Sequence, residues 1–150
     1  MIYVGGTFDL FHAGHVNFLR QCKRVTSDAG IVVGLNRDGF IRKFKGKAPV
    51  MSYEERASVL MGCKYVTHVV PNIGDSDSKI TITRYMQEII TGVDGEIKMV
   101  VIGSDWHEKD YMKQMGFTWK WLGGHGIGLC YVQYTPNIST TKIKKRLCQN

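Results

Sequence analysis

The stretch Gly5-Gly6-Thr7-Phe8-Asp9-Leu10-Phe11-His12-Ala13-Gly14-His15 constrains this chain more than any other. Before it, Ile2-Tyr3-Val4 is a short β-rich apolar run. After it, Val16-Asn17-Phe18-Leu19-Arg20-Gln21-Cys22 places apolar residues at 16, 18, 19 and 22, which is helical spacing. The expected order is strand, glycine turn, helix. Glycines let the backbone of such a turn come close to a ligand. A helix that begins there aims its free N–H groups and the positive end of its dipole at the same space, which makes an anion site. His12 falls at the mouth of that helix and His15 in its first turn, so the two share a face, and both can donate to phosphate oxygens. A metal is the competing use of such a pair, but no nearby Cys or Glu completes a ligand set.

The rest of the chain continues the alternation. Ile31-Val32-Val33-Gly34-Leu35-Asn36 is a continuous apolar run, the pattern of a buried parallel strand. With the first strand and a helix over roughly 14–25 it completes a βαβ unit with a right-handed crossover. Residues 37–51 read as a loop rich in Lys and Gly, standing after a strand's carboxyl end, where open parallel sheets bind ligands. A plain solvated loop is the alternative. Ser52 and Glu55 form a capping box for the next helix, so Glu55 is structural, and Arg56 beside it is a surface residue or an anchor. Strands are expected at 65–70, 99–103 and 129–134, and helices at 80–92, from 107 and at 142–147. The fourth strand delivers Ser104, Asp105 and Trp106 to the edge that carries the glycine turn. Ser139, Thr140 and Thr141 open the last helix, where hydroxyls either cap it or bind phosphate beside its N–H groups. The expected fold is α/β, a Rossmann-like parallel five-stranded sheet with helices on both faces, in one domain over 1–150.

Composition narrows the partners. The 150 residues carry a formal charge of +7, with 43% hydrophobic and 22% charged residues. That is an ordinary globular balance with a bias toward anions. No apolar run approaches the length of a membrane span, and the first residues lack a leader pattern, so a cytoplasmic location without membrane contact is expected. Basic residues cluster at 37–47 and 142–146 without an interleaved aromatic platform, which favours polyphosphate over nucleic acid. Cys22, Cys63, Cys130 and Cys148 are widely separated and show neither zinc nor redox spacing. The first three lie in apolar segments and read as reduced core residues.

Gly6-Thr7-Phe8-Asp9 followed by His12-Ala13-Gly14-His15 resembles the GTFD and HxGH signature of the cytidylyltransferases and related small nucleotidyltransferases. Gly103-Ser104-Asp105-Trp106 resembles their GDDW motif, and Ile138-Ser139-Thr140-Thr141 their ISTT motif. The motifs stand in the family's order and span the chain, with the strongest likeness to the glycerol-3-phosphate cytidylyltransferases. The resemblance implies transfer of CMP from CTP to a small phosphorylated acceptor (glycerol 3-phosphate or a related polyol or sugar phosphate) with release of pyrophosphate. It also implies Mg²⁺ carried by the nucleotide without a dedicated protein cage, and a homodimer. Residue by residue, it makes His12, His15, Lys45 and Thr7 the catalytic set. Gly6, Thr7, Phe8, His15, Asp105, Trp106, Thr135, Ile138, Ser139 and Thr140 would contact the nucleotide. Asp9, Asp38, Lys45, Lys47 and Lys64 would contact the acceptor. Lys43 stands one insertion away from the matched lysines, and no residue is expected to ligate a metal.

The sequence also departs from the family. Tyr134 stands where an arginine shortly precedes the ISTT motif, Asn137 where a glycine does, and Lys64 where an arginine stands. A lysine keeps charge but loses bidentate geometry. The permanent charge lost at Tyr134 must come from elsewhere, with Lys64, Arg146 or the segment Phe117 to Gly128 as sources. The missing arginine, together with Lys45-Gly46 and Pro49-Val50, resembles the sugar-phosphate adenylyltransferases of the ADP-heptose type. CTP stays the expected nucleotide, with adenylyl transfer from ATP to a sugar phosphate as the alternative and a binding protein with weakened catalysis as a further one. Phe117 to Gly128, with Trp119, Trp121 and His125, looks like an insertion. It reads as an aromatic flap or subunit contact, or as a loop that selects the acceptor. Class I tRNA synthetases share the HxGH pattern, but 150 residues leave no room for an anticodon-binding domain.

Overall fold

Five strands pair in parallel in the order β3-β2-β1-β4-β5: β1 (Ile2–Gly6), β2 (Ile31–Leu35), β3 (His68–Pro71), β4 (Met99–Gly103) and β5 (Gly128–Val132). The computed structural model describes residues 1–27, 29–73, 78–89, 95–106 and 111–149, without the side chains of 78, 86–89, 106 and 111. Among these, the helices are α1 (Ala13–Val25), α2 (Asp38–Lys45), α3 (Tyr53–Met61), α4 (Ser78–Ile89), α5 (Tyr111–Gln114), α6 (Trp119–Gly124) and α7 (Thr140–Leu147). From β1 the chain winds outward through β2 to β3, then returns to place β4 on the other side of β1. The reversal leaves a crevice at the carboxyl ends of β1 and β4, where doubly wound sheets bind ligands.

The period of two along each strand sorts the core. Ile2 and Val4 of β1, with Ile31 and Val33 of β2, face Leu19 and Cys22 of α1 and Leu60 of α3. Tyr3, Val32, Val100 and Ile102 face the opposite way, against Ile82 and Tyr85 of α4 and Leu122 of α6. Every residue of β2 is buried, as its unbroken apolar run predicts. Gly34 is small for a reason. A Cβ there would stand 1.9 Å from the hydroxyl of Tyr3, which crosses β2 to donate to Asn72 Oδ1 at 3.0 Å.

Three elements depart from expectation. The basic stretch read as a loop contains α2, which buries Ile41 and ends at Gly46 in the left-handed region (φ 69°), whose N–H donates to Arg42 O. The lysine count concealed the spacing of Phe40, Ile41 and Phe44. The third strand begins at His68 rather than 65, because residues 62–67 form a turn closed by Val66 N–H on Cys63 O. The segment 117–128 is no flap: Thr118 caps α6, and Phe117, Leu122 and Ile127 are buried in the core beneath α4. The helix expected to start at 107–110 lies outside the described residues. Among the described residues, no helix is long and apolar enough to cross a membrane.

Candidate active site

A cleft of about 1170 Å³ opens at the carboxyl edge of the sheet, over β1 and β4. Its floor is the glycine turn after β1. Two bulky residues there, Phe8 and Leu10, take positive φ of 50° and 48°, a conformation that costs each about 1–3 kcal/mol. Contacts from distant elements hold it. Arg56 Nη1 donates to Thr7 O at 2.7 Å, and Thr140 Oγ1 donates to Asp9 O at 2.8 Å. Arg56 is fully buried and also donates to Asn36 O, Met51 O and the Asp38 carboxylate, so one guanidinium ties β1's turn, β2's turn and α3 together. Such a buried, fully engaged arginine is an anchor rather than a surface residue.

The start of α1 differs from the simple helix-dipole picture. His12 is the N-cap, its Nδ1 accepting from Gly14 N–H at 3.1 Å, and His15 Nδ1 accepts from His12 N–H at 3.3 Å. The two imidazoles thus form the reciprocal bonds of a capping box and stack with centroids 3.8 Å apart. A neutral ring whose Nδ1 accepts carries its proton on Nε2. Cap amides are spent on the rings, and the donors offered to a ligand are the imidazole Nε2–H groups. Both rings stay neutral near pH 7: burial, then the adjacent His12, push His15 down to about 3, and burial lowers His12. The Phe8 and Phe11 rings flank His15 at 5.1 and 5.5 Å and fix its plane.

The far end of the chain closes the same cleft. Ile138 packs on α1 so closely that a Cβ on Gly14 would lie 3.1 Å from its Cγ2. Ser139 is the N-cap of α7, its Oγ accepting from Lys142 N–H, while the hydroxyl of Thr140 is committed to Asp9 O. The capping reading is realised at Ser139 alone, the Thr140 hydroxyl being bound to another element, and what α7 still aims at the cleft is its first backbone N–H groups. Asn137 takes φ 66°, which asparagine adopts at lower cost than most other side chains.

Most residues singled out in the sequence converge here. Gly6, Thr7, Phe8, Asp9, His12, His15, Lys45, Lys47, Asp105, Thr135, Ile138, Ser139 and Thr140 all line the cleft. Burial lowers Lys45 toward the neutral form, opposed by the Asp9 carboxylate and reinforced by Lys144, Arg56 and Lys47. A crowded, desolvated lysine of this kind gains from an incoming anion. Lys64 and Asp38 are corrections. Lys64 precedes β3 at the sheet's other edge, its ammonium 5.2 Å from the Tyr65 ring, and does not line the cleft. Asp38 pairs with Arg56 at 2.5 Å and does not line the cleft. Asp9 lines the cleft, but its carboxylate is occupied by Val50 N–H, Met51 N–H and Lys144 Nζ. Burial would raise its pKa, and the Met51 and Val50 bonds and Lys144 outweigh that and lower it. Trp106 ends the turn after β4, and its side chain lies outside the described residues.

Several lining residues were not read from the sequence. Asn36 and Asn72 form an amide chain: Asn72 Nδ2 donates to Asn36 Oδ1 at 2.8 Å, and Asn36 Nδ2 approaches Thr7 Oγ1 at 3.4 Å. Phe40 and Phe44 stack at 5.6 Å on one wall. Lys144 and Lys145 bring charge from α7. A four-residue count from Thr140 places Lys144 on the same helix face, a signal present in the sequence. None of the sources expected to replace the charge at Tyr134 lines the cleft: Lys64, Arg146 and residues 117–128 are all outside it. Among the described residues no group of three or more His, Cys, Asp or Glu could hold a metal.

Residues 3–146 match the family model described as cytidylyltransferase-like. The ethanolamine-phosphate cytidylyltransferase of Mus musculus is 41% identical over 71 residues, 47% of this chain and 18% of that protein. The bifunctional protein HldE of Campylobacter concisus is 39% identical over 108 residues, 70% of this chain and 22% of that one. The glycerol-3-phosphate cytidylyltransferase of Staphylococcus aureus is 29% identical over 143 residues, 95% of this chain and 90% of that protein. The chain thus spans about a fifth of the length of the first two relatives. A lipopolysaccharide core biosynthesis protein of Thermoplasma volcanium shares the fold, with a TM-score of 0.63 at 20% identity over 89% of this chain and 94% of that one.

Proposed function

The chain belongs to the cytidylyltransferase-like family, and from that membership we propose that it transfers CMP from CTP to the phosphate of a small polyol or sugar phosphate, glycerol 3-phosphate foremost, releasing pyrophosphate. One observation carries the reading: imidazoles from residues 12 and 15, lysines 45 and 47 and the start of α7 line a single cleft. An acceptor phosphate oxygen attacks the α-phosphorus, the bond to the β-phosphate oxygen breaks in line, and pyrophosphate departs. Phosphate is already a competent nucleophile, so no covalent enzyme intermediate is required. Catalysis is then positioning and stabilisation of spreading charge. The Nε2–H groups of His12 and His15 donate to phosphate oxygens. Thr7 orients the chain of phosphates, α7 receives the outer ones, and Lys45 and Lys47 hold the acceptor phosphate and the leaving group. Mg²⁺ would arrive on the nucleotide, held by phosphate oxygens and water.

The walls support an uncharged acceptor body. Toward β2 and β3 the cleft is lined by the mutually bonded amides of Asn36 and Asn72 and by the stacked rings of Phe40 and Phe44, an uncharged wall that suits C–H faces. The nearby carboxylates of Asp38 and Asp9 are already paired, and the lysines repel an ammonium head. A second reading, adenylyl transfer to a sugar phosphate, is favoured by Tyr134, whose hydroxyl donates to Ile138 O where a charged side chain was expected. Pyrophosphate release from CTP and ATP, each tested against glycerol 3-phosphate, sugar phosphates, phosphoethanolamine and phosphocholine, decides. Turnover of CTP with a polyol or sugar phosphate is expected. Turnover of ATP alone selects the second reading, and release with no pair removes both. A cytoplasmic location and a homodimer belong to the same proposal, and sedimentation of the purified chain checks the latter.

A further inference from the structure

Lys144 stands at a junction that the sequence motifs do not explain. Its Nζ lies 3.0 Å from Asp9 Oδ2, with its side chain one-third exposed and the aspartate side chain only 6% exposed. Thr140, one turn earlier on α7, holds the backbone carbonyl of the same Asp9. The Asp9 carboxylate does not depend on the lysine. It also accepts from Val50 N–H at 3.0 and 3.1 Å and from Met51 N–H at 3.0 Å, so it stays hydrogen-bonded if the ammonium leaves. The cleft needs the charge elsewhere. His12 and His15 donate as neutral rings, so among the described residues the positive charge on its walls comes from Lys45 and Lys47 on one side and Lys144 and Lys145 on the other. A nucleoside triphosphate brings about four negative charges, more than the first two lysines neutralise. Lys144 shares a helix face with the start of α7, where the outer phosphates would lie.

We propose that Lys144 is a ligand of the nucleotide's outer phosphates, exchanging the Asp9 carboxylate for a phosphate when the triphosphate binds. It rests on the nucleotidyltransferase reading for the identity of the ligand. The exchange adds a charge-assisted hydrogen bond to the substrate without orphaning the buried carboxylate. A lysine that only ties α7 to the turn would make no distinction between nucleotides.

The test is the affinity of Lys144→Gln for CTP and for CMP, with ATP and AMP measured in parallel. Loss of a charge-assisted bond predicts about 10- to 100-fold weaker triphosphate binding. Monophosphate affinity should stay within about twofold, and Lys144→Arg should recover most of the loss. Equal weakening of both nucleotides, or of neither, overturns the proposal. If Lys144→Gln does not fold, reductive methylation of the wild-type chain followed by mass spectrometry replaces it. Protection of Lys144 by CTP or ATP but not by CMP or AMP supports the exchange, and equal labelling in all cases refutes it. Pyrophosphate release by the wild type separates the two ideas. Triphosphate-selective loss in a chain that releases no pyrophosphate leaves this proposal standing and removes the transferase reading.

Discussion

At the scale of single residues, the proposed transfer rests first on the paired imidazoles of His12 and His15. Each spends Nδ1 on a backbone N–H and keeps Nε2–H for the ligand, so the tautomer is set before substrate arrives. Removing one preorganised donor of this kind costs on the order of 10²–10³ in kcat. His15→Ala should show that loss in steady-state turnover while its far-UV spectrum is unchanged. The same burial has a consequence for stability. His15 is pushed from the ordinary histidine value to about 3 in the folded chain, so below the ordinary value the unfolded chain binds the extra proton. Stability is full above about pH 6.5 and falls as pH drops from there toward 3, with Asp9 adding to the loss in the carboxylate range. Urea unfolding at stepped pH should show this decline, and His15→Gln should flatten it between pH 6.5 and 4. An unchanged slope would mean that His15 is not held neutral by burial.

At the scale of elements, polar anchors tie the loops at the strand ends to one another. Arg56 is the clearest case, since its guanidinium serves Thr7 O, Asn36 O, Met51 O and Asp38 at once. Arg56→Ala leaves Asp38 without its partner and two turns without a donor. It should lower unfolding free energy by about 3–5 kcal/mol, read from chemical denaturation, with nucleotide affinity falling as the glycine turn relaxes. The 117–128 segment serves a different end. Phe117, Leu122 and Ile127 fill the core under α4, and none of the segment's residues lines the cleft. Leu122→Ala should therefore cost about 2–5 kcal/mol of stability and leave the ranking of acceptors unchanged in the pyrophosphate assay. A changed ranking would return this segment to the site.

For the molecule as a whole, the cleft is completed by bringing residues 138–144 onto the turn at residues 7–15. Ile138 against Gly14, Thr140 on Asp9 and Lys144 on Asp9 make that closure. Yet α7 buries none of its residues fully, so it adds little to the core. A chain ending at residue 138 should keep a cooperative melt close to that of the full chain and lose triphosphate binding by calorimetry. Retained binding would show that α7 is dispensable to the cleft.

What the sequence determined by itself was governed by short range. The apolar runs of β1 and β2, the Ser52–Glu55 box and the three-residue spacing of His12 and His15 are local patterns, legible along the chain itself. Legible too is the sheet edge on which the motifs after β1 and β4 meet, because right-handed crossovers admit few arrangements. Only the tertiary structure decided which polar groups are free and which are taken. Lys64 and Asp38 carry the right charges, but one lies at the wrong edge and the other is bound to Arg56. Lys144, 135 positions away in sequence from Asp9, is brought to 3.0 Å from it. The partner of a charge is set by the packing of distant elements, and residue type and spacing along the chain hold no record of that.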